Sequence, residues 1–172
     1  VAEQGALFES GRHEMESWAE EESEIETEEP TEAMVLFSIN GKDRYVVPLS
    51  EITRLEEFDL HKIEHSSGRE VIQYRDDLLP LVRLDAVLQT ETVHKKPDRI
   101  YAIVFTRHEK SVGVVVGQII DIVEAGLHIH DTPGRKTGIK GSMIIEGHST
   151  DLIEVEQMLA CAMPEWAEKI AV

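Results

Sequence analysis

The chain of 172 residues contains one cysteine, Cys161, so no intrachain disulfide can form. With no signal-peptide pattern at its N-terminus, this favours a reducing, cytoplasmic compartment. No apolar run approaches the roughly 20 residues needed to cross a bilayer, so direct membrane insertion is not expected. Glycine-rich phosphate loops, paired-cysteine metal sites and a nucleophile elbow are all missing, and no cofactor, metal or catalytic role is expected. Basic side chains are also scarce. Seventeen Lys+Arg face 34 Asp+Glu, a formal charge of −17. Such a field repels phosphate backbones and anionic headgroups, which argues against nucleic acid as a partner. What the chain does have is 41% hydrophobic and 30% charged residues, the composition of one globular domain or of two very small ones sharing a core.

The charge is concentrated at one end. Residues 1–33 carry 12 acidic side chains against Arg12 alone, a local balance of −11, which leaves −6 for the rest. A stretch such as Glu20-Glu21-Glu22-Ser23-Glu24 has too little apolar surface to offset the entropy of ordering, and the segment is expected to be a solvated linker or tail ending near Ala33. Leu7, Phe8, Met15 and Trp18 are spaced to line one side of a short helix, so two alternatives stand for that stretch: frayed coil, or a docking helix. Val1 in place of Met hints at a piece of a longer chain, although a processed N-terminus would look the same.

From Met34 onwards short β-rich runs alternate with turn residues. Residues 34–39, Asn40-Gly41 and Arg44-Tyr45-Val46-Val47-Pro48 read as strand, tight turn and strand. Val71 to Tyr74 and Leu78 to Val82 flank Arg75-Asp76-Asp77 as a second hairpin, with Pro80 permitted on an edge or irregular strand. Leu84 to Leu88 adds a helical turn. Residues 100–106 and 112–123 give another strand pair, the second unusually long, punctuated by Gly113 and Gly117 and expected to bend. A loop over residues 132–141 leads into a hairpin at 142–153. Val155, Met158, Leu159 and Ala162 then recur at helical spacing and would dock one apolar stripe on a sheet. Strands every 8 to 15 residues with little helix predict small barrels or a sandwich.

Few side chains invite a chemical role. Cys161 lies on the apolar stripe of the last helix and is expected to be a packed thiol. His128 and His130, two apart, would face the same side of a strand as half of a metal site, but no further ligands cluster nearby, and exposed histidines are the simpler account. Asp76, Asp77 and Asp131 sit at turns, where Asp is favoured for local backbone hydrogen bonding.

The segment Tyr74-Arg75-Asp76-Asp77-Leu78-Leu79-Pro80-Leu81-Val82-Arg83-Leu84 closely resembles the "YRG, two variable positions, LPL" segment of CheW-like domains, above all of the regulatory domain of CheA. Residues 37–52 are similar to that family's opening hairpin, 111–123 to its central "VGLVVD" strand, and Gly138 to Val155 to its closing "G-x-x-G" loop and strand. Asp76 stands where the family has glycine, Gly117 where it has aspartate and Glu154 where it has aspartate. The resemblance implies a mainly β fold of two intertwined five-stranded barrels of SH3 type over a shared core, with subdomains near residues 34–94 and 95–155, a helix at 154–163 and a tail at 164–172. It also implies a non-catalytic scaffold in cytoplasmic receptor arrays at the inner membrane. The partners would be a CheW-like adaptor or the CheA kinase and the cytoplasmic tips of chemoreceptors. Tyr74, Arg75, Leu79, Leu81, Val47, Ile52, Gly138 and Gly141 would form the protein-binding surface. Arg75 either pairs with partner carboxylates or ties down its own loop. Two forms of the reading remain open, a stand-alone adaptor and a fragment of a histidine kinase whose catalytic domains lie elsewhere. A small β-barrel that binds a ligand is an unrelated third reading.

Overall fold

A computed structural model describes residues 30–131 and 133–165. The alternatives for Leu7 to Trp18, most of the acidic segment and residues 166–172 lie outside the described residues. Strand structure begins slightly earlier than Ala33. The order is β1 Thr31–Ser38, β2 Tyr45–Pro48, β3 Arg54–Asp59, β4 Glu64–Ser66, β5 Arg69–Tyr74, β6 Asp77–Arg83, α1 Leu84–Leu88, β7 Arg99–Arg107, β8 Lys110–Val116, β9 Gln118–Gly126, β10 Ile139–Ile145, β11 His148–Ile153 and α2 Val155–Ala162.

The strands form two sheets, one in the order β10-β11-β2-β1-β9 and one in the order β3-β7-β8-β6-β5-β4. The second has six strands where five were expected, because the three-residue β4 folds back on β5 through Ser67-Gly68. The expected halves at 34–94 and 95–155 each contribute strands to both sheets, so the sheets are interleaved rather than consecutive. Among the described residues four pairings make the interleaving: β11 beside β2 and β6 beside β8, both parallel, together with β3 beside β7 and β9 beside β1.

Local chemistry explains the hairpins. Among the described residues, Ser67-Gly68, Arg75-Asp76, His108-Glu109 and Glu146-Gly147 each form the two-residue link of an antiparallel pair, with φ between 52 and 78° at both positions. This is the mirror-image turn whose twist matches that of the flanking strands. Asn40-Gly41 was expected to make the same turn and does not. Phe37 pairs with Tyr45, leaving a longer loop that Asp43 organises. One oxygen of its carboxylate accepts from the Ser38 hydroxyl at 2.7 Å and from the Ile39 and Asn40 N–H groups at 2.9 and 3.1 Å. A half-buried carboxylate acceptor thus replaces the tight turn.

The core has three parts. Met34, Leu36, Val46, Met143, Ile145 and Leu152 pack within the five-stranded sheet. Ile72, Leu79, Leu81, Ile100, Val104 and Val115 pack within the six-stranded one. Phe37, Val47, Val82, Ile103, Phe105, Val114, Leu88, Met158 and Leu159 join both sheets and both helices in one shared cluster. Strand β1 therefore buries both faces, its even positions in one cluster and its odd positions in another, which accounts for its unbroken apolar run. Helix α2 docks Val155, Met158 and Leu159 as its spacing predicts. Cys161 is a correction: its side of the helix faces solvent and the thiol is exposed.

Candidate interaction surface

The segment singled out by sequence forms the β5–β6 hairpin. Tyr74 pairs with Asp77, and Arg75 and Asp76 make the turn at φ 52 and 63°. Left-handed backbone at residues with a Cβ costs roughly 1–2 kcal/mol each in general, less for Asp, so this tip holds two full side chains where glycine would be relaxed. Asp76 is accommodated as expected, and Arg75 carries the same demand. Along β6 the pleat sends Leu79 and Leu81 inward, 1% and 3% exposed, and Leu78 outward, 49% exposed.

Tyr74 is half-buried. Its ring meets Phe58 edge-to-face with centroids 6.1 Å apart, and the Arg75 guanidinium carbon lies 5.5 Å from the Tyr74 ring centroid. Burial, reinforced by the Glu56 carboxylate, raises the phenol above its ordinary titration. Arg44, Arg54, Arg69, Arg83, Arg99, Arg107 and Arg135 each pair with a carboxylate. Arg75 is exposed and rests against the tyrosine face.

Strand β8 lies beside β6, so the His108-Glu109 turn stands next to the Arg75-Asp76 turn. Between the two tips is a cavity of about 430 Å³ with Tyr74, Leu78, Leu79 and Pro80 as apolar lining and Arg75, Asp77, Glu109 and Lys110 as charged lining. Its composition, apolar floor and charges of both signs, suits a protein segment. Asp77, Leu78, Pro80, Glu109 and Lys110 are contributors that sequence reasoning missed. Two adjacent leucines leave the phase of the strand undecided, and the β6–β8 pairing is long-range.

The other expected surface residues are placed elsewhere. Val47 lies in the shared core and Leu79 and Leu81 in the core of the six-stranded sheet, so their main role is to hold the fold. Ile52 is half-buried against the shared core, after a 3-10 turn at Leu49–Glu51. Gly138 and Gly141 are buried. Gly138, at φ 92°, donates its N–H to the Gln157 side chain at 2.8 Å and accepts from the Glu154 N–H at 2.8 Å, which fastens the loop to α2. At Gly141 a Cβ would press on Ile129 and lie 2.8 Å from the His130 carbonyl oxygen.

A second groove, of about 630 Å³, runs along α1 and α2 and includes Arg69, Arg83, Leu81, Val87 and Cys161. Arg83 and Glu70 close part of it with two hydrogen bonds of 2.8 Å. Those bonds hold the Glu70 carboxyl below its usual range, against the opposing effect of burial. His128 and His130 stack edge-to-face with centroids 4.6 Å apart, both exposed. Among the described residues no three His, Cys, Asp or Glu side chains gather as a metal site, and no helix is long and apolar enough to cross a membrane.

Comparison with known proteins bears on this surface. The family model described as the CheW-like domain matches residues 33–162. The sensor histidine kinase CheAY of Helicobacter pylori is 24% identical over 127 residues, which cover 70% of this chain and 15% of that kinase. The chain thus spans well under a fifth of the length of that relative. Among solved structures, the scaffolding protein TtCheW from Thermoanaerobacter tengcongensis superposes with a TM-score of 0.59 at 16% identity, over 73% of this chain and 90% of that one.

Proposed function

The chain belongs to the CheW-like domain family, and from that premise we propose that it is a non-catalytic scaffold that couples chemoreceptors to histidine-kinase signalling. It binds a CheW-like adaptor or the CheA kinase through apolar surfaces of its β subdomains. It binds a receptor tip at the Tyr74-Arg75 turn. The observation that carries this reading is the geometry of that turn within the family-matched segment: Arg75 is displayed on a left-handed hairpin turn, outside the ion pairs that occupy arginines such as Arg83, beside a cavity with an apolar floor and a charged rim. Its location in this reading is the cytoplasmic face of a receptor array. Both forms fit the relatives: a regulatory domain of a kinase such as CheAY, or an adaptor such as TtCheW.

Replacing Arg75 with Ala tests it. Pull-downs with receptor cytoplasmic fragments should lose about 1.5–3 kcal/mol of affinity, the range for charged hydrogen bonds. Association with the CheW-like partner and the melting temperature should stay unchanged. Receptor binding should weaken with salt, because screening acts on the guanidinium contact, while the apolar contact persists. Loss of both partners together with early melting would make Arg75 a structural residue and overturn the assignment. Calorimetry with Mg-ATP should show no saturable heat; micromolar binding would defeat the scaffold reading.

A further inference from the structure

The connection from α1 to β7, residues 89–98, lies against the β1–β2 loop of the five-stranded sheet and against Gly117, where the chain passes from the six-stranded sheet to the five-stranded one. Its Val93 N–H donates to the Ile39 carbonyl at 2.8 Å, just past β1. Its Lys95 N–H donates to the Gly117 carbonyl at 3.3 Å, between β8 and β9, and Gly117 in turn donates to Ser38 at 3.0 Å. Asn40 donates its side-chain amide to the Thr90 hydroxyl at 3.1 Å, and the Thr92 hydroxyl donates to Asp85 at 2.6 Å. The segment, which joins two elements of the six-stranded half, is a strap fastened to the β1–β2 loop of the other sheet and to the β8–β9 crossing.

Between its two fastening amides stands His94. The Nδ1 atom is buried and has no hydrogen-bond partner. A proton placed there becomes a buried donor with nothing to receive it. The charged groups facing the ring are Arg83, at the end of β6 and tied to Glu70, and Asp85, on α1 and already accepting from Thr92. A second positive charge beside Arg83 is unfavourable, and the carboxylate only partly compensates.

We propose that His94 makes this strap a proton-sensitive clasp: closed while the imidazole is neutral, and released from Ile39 and Gly117 when the ring gains a proton, with both sheets still folded. The device is independent of the scaffold role and regulates how firmly the two sheets are joined. Burial first, and Arg83 second, hold the imidazole below its ordinary titration in the closed state, against Asp85. In the open state the ring titrates near the ordinary value of 6.5. The open state therefore binds the proton better, so closure is complete above 6.5 and weakens as pH falls from there through the depressed titration.

Amide hydrogen exchange on the intact chain reads the clasp directly. After correction for the intrinsic rate, protection at Val93 and Lys95 should fall severalfold between about pH 7.5 and about pH 5.5, by up to tenfold for each pH unit separating the two titrations. Protection at Ile103 and Val114, inside the six-stranded sheet, should not change. In His94→Gln the fall should vanish. If that variant misfolds, the Cε1 proton titration of His94 in the wild type serves instead and should lie below 6.5. Protection that is flat with pH, an equal fall in His94→Gln, or an imidazole titrating at or above 6.5 would each overturn the clasp.

Discussion

At Gly117, between β8 and β9, three stretches of backbone converge with no space for a side chain, whereas at the β5–β6 turn two residues with full side chains occupy angles that suit glycine. A Cβ at Gly117 would stand 2.5 Å from the Val93 carbonyl oxygen and press on that of Ile39. Its φ is outside the left-handed region, so the glycine is there for room rather than for conformational freedom. At Arg75 and Asp76 the opposite holds: the angles are left-handed and the tip is exposed. The crossing is built for the fold, and any side chain there is a defect. The turn accepts conformational cost and places a cation and a carboxylate at an exposed tip.

The contrast predicts effects of opposite sign. Gly117→Ala should destabilise most, by about 3 kcal/mol, because the obstructing atoms are backbone carbonyls, that of Ile39 held by the Val93 N–H, and cannot step aside as a side chain would. Thermal unfolding should show a drop on the order of 10 °C for a domain of this size. A melting point within about 2 °C of wild type would mean that the strap yields easily and the contrast fails. Arg75→Gly should lose receptor affinity by about 2 kcal/mol while gaining about 0.5 kcal/mol of stability, the relief of left-handed strain less the extra freedom of glycine in the unfolded chain. Denaturant titration set beside a binding isotherm checks both signs; a loss of stability would show that Arg75 serves its own loop. Asp76→Gly, which restores the family's usual residue, should be the mildest change: a stability gain of a few tenths of a kcal/mol, with receptor binding within about twofold of wild type. A marked loss of binding would place the Asp76 carboxylate in the contact.

The pattern of legibility follows from the range of the interactions. The hairpin at Arg75-Asp76 and the stripe of α2 were readable because turn chemistry and side-chain period are local, whereas the long strand expected over 112–123 is two strands in different sheets, parted at Gly117, because one continuous apolar run serves both cores. Asn40-Gly41 misled because the same dipeptide serves a longer loop once a carboxylate, here Asp43, gathers the free N–H groups. Cys161 misled because the apolar stripe of so short a helix is narrow, and one position of rotation separates the docked face from solvent. At the candidate surface, Tyr74 and Arg75 were legible as a motif. The inward direction of Leu79 and Leu81, the outward direction of Leu78 and the nearness of Glu109 depend on which face of β6 meets the core and on its parallel pairing with β8, neither of which any local pattern encodes.

That parallel pairing, with its counterpart between β2 and β11, also governs how the domain comes into being. Strand β2 waits for a neighbour about a hundred residues later, and β6 for one about thirty residues later, so loop closure must precede much of the gain from pairing. High contact order of this kind slows folding and leaves edges open in the interval. A chain cut between residues 94 and 95 would give a first piece with β2 and β6 each lacking a partner, and a second piece holding those partners. Neither piece can complete a sheet alone. Mixed together, they form a matched pair whose association is the folding reaction itself.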